Sequence, residues 1–238
     1  MQVGAVIPCR TGSKGIPGKN FKMFREKPLW QWSADAAFDS TLFDKIILST
    51  DGGSFTGWTK LESATIDDAR PANLSDDKAS LDELLKYYAA MYPEIGVWCL
   101  LQPTSPLRTA DDIKAAWAMF GEQDANGEFR YESLLSAYPH SVFAWIKNAV
   151  GIPGDDDNPQ PLATYHYAKR PNRQDRNDWL LENGAIYFTR TYILKAFSSR
   201  LHGSIAVYEM PQERSIEIDT PYDWFLAEQT ARYFNGVG

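Results

Sequence analysis

Arg10, Lys14 and Lys19 alternate with Gly12, Gly15 and Gly18 directly after the apolar run Val6-Ile7-Pro8-Cys9. This suits a strand that delivers a phosphate-binding loop: glycines let backbone N–H groups approach an anion with no Cβ in the way, and the cations supply the charge a polyphosphate needs. It is not a Walker A loop. In the one register that places Gly18-Lys19 correctly, Ser13 stands at the first glycine position and Asn20 at the final Ser/Thr position, so a P-loop NTPase is not expected. The competing reading is a basic surface loop with turn glycines.

Ser215-Ile216-Glu217-Ile218-Asp219 is the second stretch able to do chemistry. On a strand, residues two apart share a face, so Glu217 and Asp219 project together while Ile216 and Ile218 pack the other way. Two hard oxygen donors at a strand end, facing a polyphosphate, describe a Mg²⁺ platform. An amphipathic edge strand with a solvated acidic face fits the same pattern.

Other polar positions fall where strands should end. Asp51 closes the run Lys45-Ile46-Ile47-Leu48-Ser49-Thr50, at the carboxyl end where open α/β sheets bind ligands, or else it caps a turn. Pro71 biases Arg70 to extended geometry, and Ser80-Leu81-Asp82-Glu83 reads as a capping box. Gln102-Pro103-Thr104-Ser105-Pro106-Leu107-Arg108 is a proline-stiffened loop whose amide, hydroxyls and guanidinium can bond a polyhydroxylated ligand. It can equally be a surface loop ahead of an N-cap at Thr109. The adjacent rings of Tyr187 and Phe188 put at least one in the core. His140, His166 and His202 have no ligand spacing, so zinc is not expected, and Asp155-Asp156-Asp157 reads as a solvated patch.

The elements that must position these residues follow from spacing. A helix is expected over Pro28 to Phe38, a buried strand over Lys45 to Asp51, a helix from Ser80 to about Met91, a strand over Val97 to Leu101, and a helix from Ala110 to Phe120. Ser133 to Tyr138 and Val142 to Lys147 alternate in a strand-like way across Pro139-His140, which suggests a hairpin or a strand leaving the main sheet. Thr220-Pro221-Tyr222-Asp223 caps a closing helix to about Phe234. Strand, loop, helix, strand is the unit of a parallel sheet. The expected fold is therefore α/β: three layers around a mostly parallel sheet, one domain over 1–238 with a smaller lobe over 130–185. At 238 residues and 44% hydrophobic the chain can bury a substantial core. Its net charge of −7 disfavours a general nucleic-acid binder. Cys9 and Cys99 lie in apolar runs and should pack as small hydrophobes. With no signal-like or spanning stretch, the expected location is cytoplasmic, with no membrane partner.

Arg-x-Gly-Ser-Lys-Gly-Ile-Pro-x-Lys-Asn after an N-terminal strand resembles the signature of the acylneuraminate cytidylyltransferases, which activate sialic acid and related nonulosonic acids as CMP conjugates. Leu101-Gln102-Pro103-Thr104-Ser105-Pro106-Leu107-Arg108 resembles a second family signature. The cluster Arg170-Pro171-Asn172-Arg173-Gln174-Asp175 ahead of Asn183-Gly184-Ala185-Ile186-Tyr187 is similar to a third. The resemblance implies a nucleotide-diphospho-sugar transferase fold, a homodimer, CTP as co-substrate and Mg²⁺ as cofactor. It implies a nucleotide site of Arg10, Gly12, Ser13, Lys14, Gly15, Lys19, Asn20, Arg70 and Ser80, the last two at the cytosine. It implies sugar contacts by Gln102, Thr104, Ser105, Arg170, Arg173, Gln174, Asn183, Tyr187 and Phe188, with metal on Glu217 and Asp219. Arg10, Lys14, Lys19 and Asp219 would carry the catalysis. The middle section would be a dimerisation arm reaching the partner's active site. Where the family has Asp-x-Asp this chain has Glu217-x-Asp219, so Asp219 is the safer ligand and Glu217 can act through a metal-bound water.

The implied reaction joins CMP from CTP to the anomeric hydroxyl of a 2-keto-3-deoxy sugar acid and releases pyrophosphate. Legionaminic, pseudaminic, deaminated sialic and octulosonic acids are alternatives that nothing in Gln102, Arg173 or Tyr187 separates. From other classes, a glycosyltransferase would carry its acid pair mid-chain rather than late, and a non-catalytic nucleotide sensor would need only the loop.

Overall fold

Runs such as Val3 to Ile7, Ile46 to Leu48 and Val97 to Leu100 are apolar on both faces, the composition of strands covered on both sides. Each is a strand in a computed structural model, which describes residues 1–60, 62, 64–67, 70–76, 79–147, 161–172, 175 and 179–234. In chain order the strands are β1 (Gln2–Pro8), β2 (Met23–Phe24), β3 (Lys27–Pro28), β4 (Lys45–Ser49), β5 (Thr65–Asp67), β6 (Ile95–Leu100), β7 (Ser133–Pro139), β8 (Trp145–Ile146), β9 (Leu162–Ala163), β10 (Leu180–Arg190) and β11 (Ile205–Glu209). The α-helices are α1 (Leu29–Asp39), α2 (Leu81–Met91), α3 (Ala110–Phe120), α4 (Thr191–Ala196) and α5 (Pro221–Phe234).

The chain divides into two compact units, Met1–Tyr138 with Glu182–Gly238, and Pro139–Leu181. Among the described residues, the first holds a sheet ordered β11-β7-β10-β6-β1-β4-β5. The pairs β1/β4, β1/β6, β4/β5 and β7/β11 are parallel, and β10 runs antiparallel to β6. On β1, Val3, Ala5 and Ile7 enter a cluster with Trp30, Ala34 and Ala37 of α1 and Ile113, Ala116 and Phe120 of α3. Val6 points the other way, into a cluster with Leu84, Leu85 and Tyr88 of α2 and Leu194 of α4. These two clusters are the two faces of a three-layer α/β fold. Gly4 is required on the second face, because a Cβ there would sit 2.6 Å from the Trp98 ring.

A third, smaller cluster decides where the chemistry sits. Ile16 of the basic loop, Leu107 of the proline loop, Ile218 between the two acids, and Trp224, Ala227 and Ala231 of α5 bury one another with Phe24 and Leu29. Three stretches of chain far apart in sequence are thereby packed together under one surface.

Several expectations change. The anticipated hairpin across Pro139-His140 does not form: β7 stays in the main sheet beside β11, and Trp145–Ile146 pairs with Leu162–Ala163. The physical reason is burial, since Leu134 of β7 packs into the first-face cluster. Ser215 to Asp219 forms no strand; its in-and-out alternation survives because Ile218 anchors in the third cluster while Glu217 and Asp219 face a cleft. Ser80 does cap α2, accepting from the Asp82 N–H at 3.1 Å, but Glu83 turns to Lys86 rather than closing a capping box. Thr109 caps α3 in a full box with Asp112. β5, α4 and β11 are too short to stand out in spacing and were not expected.

In Pro139–Leu181, the rings of Phe143 and Trp145 meet Tyr165, Trp145 also meets Tyr167, and the Arg170 guanidinium lies 4.2 Å over Phe143. Asp155, Asp156 and Asp157 lie outside the described residues. Among the described residues no helix is long and apolar enough to cross a membrane.

Candidate active site

Because β1, β4 and β6 are parallel and in register, their carboxyl ends open on one edge, and the loops that leave them meet there. Between them lies a cleft of about 260 Å³. Arg10, Gly12, Ser13, Lys19 and Asn20 of the basic loop form one wall, Arg70 and the start of α2 another, and Gln102, Thr104, Glu217 and Asp219 the rest. Lys14 and Gly15 are exposed and do not line it.

The basic loop is held by Asn20, expected at the nucleotide, and by Asp51, for which a ligand contact and a turn cap stood open. Asn20 donates its amide to the Arg10 carbonyl at 2.8 Å, bracing the loop across its own base. Asp51 accepts from the Thr11 N–H at 2.7 Å, so this strand-end acid clamps the loop where it leaves β1. Gly15 serves a close approach of a different kind from that expected: a Cβ there would meet the Asp219 carbonyl oxygen at 2.1 Å. The glycine lets the basic loop lie against the acid segment.

Lys19 is the hinge of the arrangement. It is only 8% exposed, and its Nζ donates to the Ile218 carbonyl at 2.6 Å and to Asp219 Oδ1 at 2.8 Å. Arg10 lies at the rim, where it donates to the Asp76 carbonyl at 3.3 Å. Arg70 is buried and donates to the Leu74 carbonyl, while its Nε and Nη1 find no partner among the described residues. Burial holds its guanidinium below the ordinary arginine range, and Tyr88 and Asp51 oppose that shift. A buried cation with unused donors in a cleft wall is costly until an acceptor arrives.

Thr104 donates its hydroxyl to Glu217 Oε1 at 3.2 Å, and Gln102 donates to the Gly184 carbonyl at 3.0 Å. Burial first, and then the neighbouring Asp219 carboxylate, push the Glu217 carboxyl above its ordinary value. A raised value favours the protonated form in the fold. Its contribution to stability is therefore present below the ordinary carboxylate range and is lost as pH rises through the raised value. Glu217→Gln, which imitates the protonated form, is expected to raise Tm over wild type in metal-free buffer at about pH 8 but not at about pH 4. Calorimetric scans at both pH values check it, and an equal difference at each would contradict it.

Glu217 also lines a second cleft, of about 330 Å³, with Tyr138, Glu182, Asn183, Gln212, Ser215 and Asp223. Asn183 is buried there, bonded to Ser136 and Ser215 at 2.6 and 2.9 Å. Tyr138, Glu182, Gln212 and Asp223 escaped sequence reading, since nothing in their spacing marks them. At the first cleft the start of α2 was expected through Ser80 but enters through Ala79 and Leu81, and Asp76 was not expected.

Like Lys14 and Gly15, the expected contacts Tyr187, Phe188, Ser105 and Ser80 do not line the cleft. Tyr187 and Phe188 are both core residues, packed into opposite faces of the sheet. The later part of β10, from Ala185 on, is covered by helices on both sides, so the alternation there leaves neither ring to a ligand. Ser105 is fully buried and donates to the Asn183 carbonyl. Ser80 is an exposed N-cap and does not line the cleft, which takes Ala79 and Leu81 instead. Arg170 belongs to Pro139–Leu181, and Arg173 and Gln174 lie outside the described residues. Cys9 and Cys99 are free and buried, as expected, and burial raises both thiols.

A family model described as cytidylyltransferase matches residues 5–231. The N-acylneuraminate cytidylyltransferase of Oncorhynchus mykiss is 34% identical over 239 residues, covering 99% of this chain and 52% of that protein. N-acylneuraminate cytidylyltransferase B of Danio rerio is 36% identical over 236 residues, covering 98% and 52%. The Escherichia coli N-acylneuraminate cytidylyltransferase is 32% identical over 226 residues, covering 94% and 50%. The chain thus spans about half the length of the curated relatives it matches. Among solved structures, a CMP:2-keto-3-deoxy-manno-octonic acid synthetase complexed with CTP superposes with a TM-score of 0.61 at 17% identity, covering 99% of this chain and 100% of that one. A 4-diphosphocytidyl-2C-methyl-D-erythritol synthase from Anaerococcus prevotii gives 0.61 at 14% identity, covering 97% and 98%. Both likenesses support the fold, and the match over residues 5–231 shows that the chain belongs to the cytidylyltransferase family.

Proposed function

We propose that this chain transfers CMP from CTP to the anomeric hydroxyl of a 2-keto-3-deoxy sugar acid of the sialic acid type, releasing pyrophosphate. The observation that carries the reading is the convergence of Lys19, Glu217 and Asp219 in one cleft walled by the Arg10 to Asn20 loop. In the reaction, the anomeric oxygen forms its bond to the α-phosphorus as the bond to the bridging oxygen of pyrophosphate breaks, and the hydroxyl proton passes to solvent. Arg10 and Lys19, which line the cleft, would carry the charge growing on pyrophosphate, and Lys14, exposed on the same loop, would add to the positive field there. Arg70, with unused donors, and Asn20, by bracing the loop, would fix the nucleoside. Gln102, Thr104 and Asn183 would fix the sugar. Such transfers depend chiefly on positioning and preorganised charge.

The donors present fit Mg²⁺, which usually takes one or two carboxylates and completes its shell with water and substrate phosphate oxygens. Glu217 and Asp219 line the same cleft and would hold it. Bound there, it would supply charge neutralisation at the phosphate oxygens. The proposal includes a homodimer through Pro139–Leu181, supported by its exposed Trp145, Ile146, Leu162 and Tyr167, and a cytoplasmic setting, where CTP is at hand.

Pyrophosphate release with CTP and Mg²⁺ should be seen with one acid from a panel of sialic, legionaminic, pseudaminic and octulosonic acids. It should vanish when UTP or GTP replaces CTP. Silence across the panel, or equal rates with all nucleotides, would overturn the reading.

A further inference from the structure

The segment bearing Glu217 and Asp219 has no strand partner to fix it. Its middle is tied by the Ile218 N–H to the Thr104 carbonyl at 2.8 Å. Its end is tied by the Asp219 N–H to Asp223 at 3.1 Å. At its beginning, Arg214 Nε and Nη2 donate to Asp112 Oδ2 and Oδ1 at 3.0 and 2.7 Å. A two-pronged guanidinium–carboxylate contact fixes orientation as well as distance. Asp112 is 1% exposed and also accepts from the Thr109 N–H and hydroxyl at 2.9 and 2.8 Å and from the Tyr208 hydroxyl at 3.2 Å. Thr109 is the residue at which the Gln102 to Arg108 loop ends. One buried carboxylate thus joins the end of that loop to the beginning of the acid segment, and neither Asp112 nor Arg214 lines either cleft.

We propose that Asp112 and Arg214 are positioning residues for the acid pair, holding the Thr104 loop and the Glu217–Asp219 segment in one register. The two strips touch again through the Thr104 hydroxyl to Glu217 and the Ile218 N–H to the Thr104 carbonyl, a few residues along each strip from the point where this pair joins them. The catalytic consequence rests on the cytidylyltransferase reading; the structural one does not. Removing the charge would leave a buried carboxylate uncompensated and unfold the region unspecifically. The informative variant is therefore Arg214→Lys, which keeps the charge and loses the fork.

Arg214→Lys is expected to lower kcat for pyrophosphate release about tenfold or more while KM for CTP stays within about twofold. Hydrogen exchange at the Ile218 amide should quicken while exchange along α3 stays as in wild type. Tyr208→Phe, which deletes only the longest bond to Asp112, should change each by less than about twofold. Wild-type kcat with unchanged Ile218 protection would overturn the proposal, as would faster exchange spread evenly over the domain. If Arg214→Lys fails to fold, the double variant Asp112→Asn with Arg214→Gln, which leaves no buried charge uncompensated, carries the same readouts. Should wild type release no pyrophosphate with any acid, the functional reading fails by itself, and the exchange pattern alone decides on the clamp.

Discussion

Asp219→Asn is expected to lower kcat by roughly 10²–10³-fold with the fold intact. The substitution keeps size and shape but removes one of the two charges of the Glu217–Asp219 pair, and it replaces one carboxylate oxygen with an NH2 group that Lys19 cannot use. Asp219 is 66% exposed along its side chain, so its ion pair with Lys19 is screened and contributes little to folding. The loss should therefore appear in turnover and in the Mg²⁺ concentration needed for half-maximal rate, not in Tm. Steady-state pyrophosphate release at saturating CTP, over a range of Mg²⁺, measures both. Wild-type turnover in Asp219→Asn would remove this residue from the chemistry and with it the metal platform.

Lys19→Ala should cost about a hundredfold in kcat and, unlike Asp219→Asn, should also lower stability. Two interactions go at once. The Ile218 carbonyl, bonded to Nζ at 2.6 Å in a buried setting, is left without its donor, for which about 1–3 kcal/mol is typical. Asp219 loses the cation that holds it beside the loop. Since one contact is shared, Lys19→Ala with Asp219→Asn should lose less than the sum of the two, because residues in contact do not act additively. Kinetics on the singles and the double, with denaturant unfolding of each, give the cycle. Strict additivity in kcat would mean that Lys19 and Asp219 act on separate parts of the substrate.

Much of the site could be read from residue order because the chemistry is local to short loops at strand ends. Arg10, Lys19, Asn20, Arg70, Gln102, Thr104, Glu217 and Asp219 all line one cleft, and each sits in a stretch whose glycines, prolines or alternating acids mark it. The roles inside that cleft were less legible. Asn20 looks like a ligand contact in one dimension and Asp51 like either a ligand contact or a turn cap, yet both spend hydrogen bonds on the basic loop itself. Tyr187 and Phe188 look like a sugar platform, but that part of β10 is covered on both faces and sends both rings into a core.

The α/β layering, the helices α1, α2, α3 and α5 and the strands β1, β4 and β6 are written in periodicity and capping, which act over a few residues and need no partner. What no local pattern contains is which segments meet. That Gly15 must be bare for the Asp219 backbone to pass, that Ile16, Leu107, Ile218 and Trp224 share one small core, and that Arg214 forks onto Asp112 are contacts between residues far apart in the chain. They exist only once the sheet has brought its carboxyl ends together, because long-range contacts depend on the register and crossing of whole elements, not on the propensities of single residues.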